Sequence, residues 1–84
     1  MQMQYVYILQ SLKDKSIYIG CTNDLRERLK DHNWHTVKTT KDSGPYEIIW
    51  YCAFKNKERA FEFERYLKKG SGHAFGRKHL IPKK

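Results

Sequence analysis

The sequence predicts an α+β fold: a small three-stranded, mainly antiparallel sheet flanked by helices, in the order β-β-α-β-α-α. Three observations carry this. Two aromatic and β-branched runs flank a polar turn, a third such run follows much later, and each helical stretch opens on an N-cap residue. A chain of 84 residues suits one domain, 1–84. A domain this small has a marginal core, so a shallow surface site is expected rather than a deep cavity.

Tyr5-Val6-Tyr7-Ile8-Leu9 reads as the first strand and Ser16-Ile17-Tyr18-Ile19-Gly20-Cys21 as its hairpin partner, with Ser11–Lys15 as the turn. Alternate residues of a strand share a face, which pairs Tyr5 with Tyr7 and Tyr18 with Gly20. Thr22-Asn23-Asp24 is a run of capping residues, so a helix should start at Leu25 and run to about Asn33. Thr36 to Pro45 is polar and basic, with Gly44-Pro45 as a breaker, and reads as a mobile loop. Tyr46–Phe54 is the third strand. Asn56 caps a second helix that should end at Gly70 as a C′ glycine. Ser71-Gly72 reads as the break before a short last helix ending at Pro82.

Seventeen Lys and Arg against nine Asp and Glu give a formal charge of +8. Such a balance favours a polyanionic partner, with nucleic acid as the default. No long basic amphipathic helix points to a membrane surface, and no apolar run is long enough to span one. Met1–Leu9 lacks the charged start and apolar stretch of a secretion signal. Cys21 and Cys52 show no zinc-type spacing and are too few for a disulfide scaffold. A cytoplasmic protein with reduced thiols is expected.

On a helical wheel, Ala60, Phe61, Phe63 and Leu67 form one apolar arc of the second helix. Glu64 falls inside that arc, whereas Glu58 and Glu62 fall opposite. A carboxylate on a buried face needs a cation, either a core Arg or Lys or a metal ion. In the first helix Arg28 and His32 are neighbours at i and i+4 beside Leu25 and Leu29, with Arg26 and Lys30 on the far side. Arg28 can grip a phosphate bidentately or bridge to a carboxylate such as Glu64. Tyr7 and Tyr18 either pack the core or handle protons. An unperturbed phenol, with a pKa of about 10, needs help to act as a base at neutral pH.

Together these residues resemble the GIY-YIG nuclease family, in particular its small single-domain bacterial members. Tyr5-Val6-Tyr7 resembles the first motif with Tyr5 in place of its glycine, and Tyr18-Ile19-Gly20 matches the second. Arg28 stands where the family carries its helical arginine, His32 matches the histidine one turn later, and Glu64 matches the metal-binding glutamate. The similarity runs from about Tyr5 to Leu80. Some members carry a functional asparagine after the glutamate, and this chain has no Asn beyond Asn56.

The resemblance implies an endonuclease that hydrolyses DNA phosphodiester bonds to a 5′-phosphate and a 3′-hydroxyl, in DNA repair or recombination. It implies one Mg²⁺ or Mn²⁺ held by Glu64, with Arg28 stabilising the transition state, Tyr7 or Tyr18 moving the proton of the attacking water, and His32 assisting. Lys30, His35, Lys38, Lys41 and Lys68 are the expected DNA contacts. A monomer or weak homodimer is expected, with a partner protein as one route to target choice. The alternative is a nucleic-acid-binding module without turnover.

Overall fold

The computed structural model describes residues 3–33 and 45–81. They form β1 (Gln4–Ser11), β2 (Ile17–Thr22), α1 (Leu25–Asn33), β3 (Tyr46–Phe54), α2 (Lys57–Lys68) and α3 (Gly70–His79), in the predicted order. At the hairpin turn, Ser11 Oγ accepts from the backbone N–H groups of Lys13 and Asp14 at 3.0 and 3.1 Å. Asp14 Oδ1 accepts from Ser16 N at 2.9 Å. Lys15 sits in the left-handed region at φ 67°.

The strands lie in the order β2-β1-β3, and both pairings are antiparallel. The most buried strand is central, and its alternation feeds two cores. Val6 packs beneath α2 with Ala60 and Leu67, joined by Trp50, Phe54 and Phe63. Tyr7 and Leu9 face the other way, against Tyr46 and the α1 residues Leu25 and Leu29. A register shift at Ile8/Leu9 pairs Ile8 with Trp50 but Leu9 with Ile48, leaving Ile49 as an extra residue in β3. Cys21 and Cys52 both stand opposite Val6, one on each side. Two strand spacings put them ~9.5 Å apart, beyond disulfide reach, and both are free thiols.

Asp24 caps α1, its Oδ1 accepting from Glu27 N at 3.1 Å. Asn56 caps α2 by accepting from Arg59 N at 3.0 Å. Three details correct the sequence reading. Phe61 is 38% exposed, so the apolar arc of α2 is narrower than the wheel suggests. Residues Ser71 and Gly72 lie inside α3, and the break falls at Lys69 and Gly70, where Gly70 takes φ +50°. The last helix ends at His79, with Leu80 as its C-cap, rather than at Pro82, which lies outside the described residues. Among the described residues, no helix is long and apolar enough to cross a membrane.

Candidate active site

The sheet register sets the site. Tyr7 stands opposite Gly20, with Tyr18 two residues along on the same face of β2. The Tyr7 side chain is buried and lies across Gly20. A Cβ at position 20 would collide with the phenol oxygen and lie 2.6 Å from the ring carbon that bears it. Glycine thus leaves the space in which the Tyr7 hydroxyl sits.

α1 supplies the rest of this face. Its His32 is fully buried, and His32 Nε2 lies 3.2 Å from the Tyr7 hydroxyl. The Tyr18 ring is 4.6 Å from the imidazole centroid and the Tyr46 ring 6.0 Å. His32 is therefore enclosed by three tyrosines. Tyr46 is held in turn by its backbone N–H, which donates to Asn33 Oδ1 at 2.6 Å. Tyr46 and Asn33 were not singled out from sequence. Both contacts join segments far apart in the chain, and no local pattern signals them.

Burial is the main cause of the raised Tyr7 pKa, with Tyr18 and Glu64 adding to it and the Arg28 guanidinium opposing. Burial also pushes the His32 pKa down, reinforced by Arg28 and opposed by Asp31. At neutral pH the pair is a protonated phenol against a neutral imidazole. Arg28 makes a loose 3.9 Å ion pair with Asp31 through Nη1. Its Nε is buried with no hydrogen-bond partner. The side chain as a whole is 42% exposed, so its outer nitrogens are the ones open to an anion.

Glu64 reaches toward the same strands from α2, on the other side of the sheet. Its carboxylate, on a side chain only 18% exposed, accepts from Lys68 Nζ at 2.9 Å. Burial chiefly raises the pKa of Cys21 and Tyr7, and the Glu64 charge adds to it at each. A direct Arg28–Glu64 bridge is not the arrangement, since each pairs within its own helix. Among the described residues no three or more His, Cys, Asp or Glu side chains cluster for a metal. A lone, mostly covered carboxylate suits Mg²⁺, which binds through one or two carboxylates and keeps its waters.

The structure thus brings Tyr7, Tyr18, Arg28 and His32 together, with Glu64 near enough for its charge to be felt at Tyr7. Lys68 sits beside Glu64, whereas Lys30 is exposed on a separate depression with Arg26 and Asn33. His35, Lys38 and Lys41 lie outside the described residues.

Comparison with known proteins identifies the family. The GIY-YIG catalytic domain matches residues 3–78. UPF0213 protein CPE1444 of Clostridium perfringens is 44% identical over 68 residues, which is 80% of this chain and 72% of that protein. UPF0213 protein YazA of Bacillus subtilis is 41% identical over 66 residues, 77% of this chain and 66% of that protein. The solution NMR structure of UPF0213 protein BH0048 from Bacillus halodurans superposes with a TM-score of 0.57 at 32% identity, covering 95% of this chain and 88% of that one. The chain belongs to the GIY-YIG nuclease family, alongside the small UPF0213 proteins.

Proposed function

We propose that the protein is a metal-dependent endonuclease that hydrolyses DNA phosphodiester bonds, leaving a 5′-phosphate and a 3′-hydroxyl. The observation that carries this reading is the partly exposed Arg28 guanidinium beside the buried Tyr7–His32 pair: a cation that can meet a phosphate next to a route for a proton. In the Nδ1–H tautomer, His32 Nε2 accepts from the Tyr7 hydroxyl. Tyr7 can then take a proton from the attacking water as it releases its own to His32, so no free phenolate is needed. This role for Tyr7 fits its raised pKa, which makes a resting phenolate unfavourable. Arg28 neutralises charge on the scissile phosphate. Glu64 would hold the divalent ion, Mg²⁺ or Mn²⁺, which when bound supplies Lewis-acid stabilisation of the phosphate. Lys68 positions the Glu64 carboxylate beforehand. We place the protein in the cytoplasm, in DNA repair or recombination, as a monomer or weak homodimer.

The test compares three variants in a DNA nicking assay with Mg²⁺ or Mn²⁺. Glu64→Gln should nearly abolish cleavage while DNA binding persists. Arg28→Ala should lose cleavage by roughly 2.7–4 kcal/mol of transition-state stabilisation and weaken binding as well. Glu62→Gln, at an exposed position, should behave as the parent does. Normal cleavage by folded Glu64→Gln would remove the metal assignment.

A further inference from the structure

On the sheet face opposite the Tyr7–His32 cluster, a cleft of about 480 Å³ opens between the β1–β2 hairpin and the α2–α3 pair. Clefts of this size commonly take small ligands. Its floor is four isoleucines and Leu67, and its rim carries Lys15, Lys68, His73 and Arg77 with no carboxylate among the described lining residues. Two residues tie it to the candidate site. Tyr18 contributes to both, and Lys68 is the partner of Glu64.

Resting on the nuclease reading, we propose that this cleft receives an unpaired nucleotide next to the scissile phosphate, so that single strands and strand ends are preferred over continuous duplex. The chemistry of the walls argues for this occupant. A cationic rim matches phosphates, and an apolar floor matches the face of a base. His73 and Arg77 lie at i and i+4 on α3, so two planar groups of the kind that stack on unpaired bases share one helix face. A duplex hides its bases and would engage only the rim, leaving the apolar floor wet.

Lys15 adds an independent observation. It holds φ 67°, a conformation usually left to Gly, Asn or Asp. The hairpin keeps it there through Lys15 N donating to Ser11 O at 3.1 Å and Gln10 Nε2 donating to Lys15 O at 3.3 Å. A long cation thus occupies a turn position suited to a small residue, and it stands on the rim of the cleft.

The experiment is an NMR titration of the isotope-labelled full chain with the 5′-phosphorylated dinucleotide pTpT, with tripolyphosphate as the phosphate-only probe. pTpT should shift the amides of Ile17, Ile19, His73 and Gly76 and should bind more tightly than tripolyphosphate. His73→Ala should weaken single-strand binding by ~5-fold or more, the low end for loss of one base stack. Lys15→Ala with Arg77→Ala should flatten the salt slope of single-strand affinity by about 1.4, two lost phosphate contacts, with a smaller effect on duplex. Shifts elsewhere, equal affinity for tripolyphosphate, equal losses on duplex and single strand, or dimerisation through the cleft would each overturn the proposal. These readouts need no turnover. pTpT bound in the cleft of a protein that never cuts DNA would defeat the nuclease reading alone. Metal-dependent cutting with an indifferent cleft would defeat this one alone.

Discussion

Tyr7 and His32 place two titratable groups out of water, and each consequence can be measured. If Tyr7 passes the proton, Tyr7→Phe should lower the cleavage rate by ~10²–10⁴-fold while the ring still fills its place. Tyr18→Phe should cost less, because the 3.2 Å contact to His32 belongs to Tyr7. Equal losses, measured as single-turnover rates, would contradict that ranking. The buried imidazole also ties stability to pH. The folded pKa of His32 lies below its unfolded value of about 6.5, so the unfolded chain takes up the proton first as the pH falls. Stability from this group is whole above the unfolded pKa and drains away as the pH drops toward the folded one. Urea midpoints should fall between neutral and mildly acidic pH, and His32→Gln should flatten that fall. Arg28 and Glu64 were visible in the sequence because a charge inside an apolar arc stands out on a wheel. The burial of His32 was not visible, since it depends on a contact spanning 25 positions.

At the level of elements, the strands, the first two helix starts and the glycine that ends α2 were legible, and the start of α3 was not. Gly70-Ser71-Gly72 is poor helix material, so propensity alone reads it as a break. Packing decides otherwise: Gly72 is buried in α3, where a Cβ would run into the Tyr66 carbonyl and lie 2.8 Å from Tyr66 Cδ1. Two effects oppose each other in Gly72→Ala. Helix propensity favours alanine by ~1 kcal/mol, while overpacking against backbone costs ~1–3 kcal/mol. The obstacle is a carbonyl rather than a flexible side-chain end, so the substitution should destabilise. A raised urea midpoint would mean that α3 can shift away from α2 freely. The cleft described above would then have a movable wall.

For the molecule as a whole, chain length pointed to a small core. It could not show that the core is split by the sheet into two halves, one under α1 and one under α2. The split follows from β1 being central, a fact of strand order rather than of pattern. β1 carries Val6 into one half and Tyr7 into the other, on adjacent residues. Among the described residues there is therefore no scaffold separate from the Tyr7–His32 pair. Any fluctuation that unpairs β1 disturbs both halves at once. Hydrogen exchange at the Val6 and Ile8 amides should therefore proceed only by global opening. Loss of cleavage on heating should coincide with loss of the sheet, with no temperature at which a folded but inactive form accumulates. Such a protein has little room to exchange stability for rate, because loosening its reaction centre is the same event as melting it.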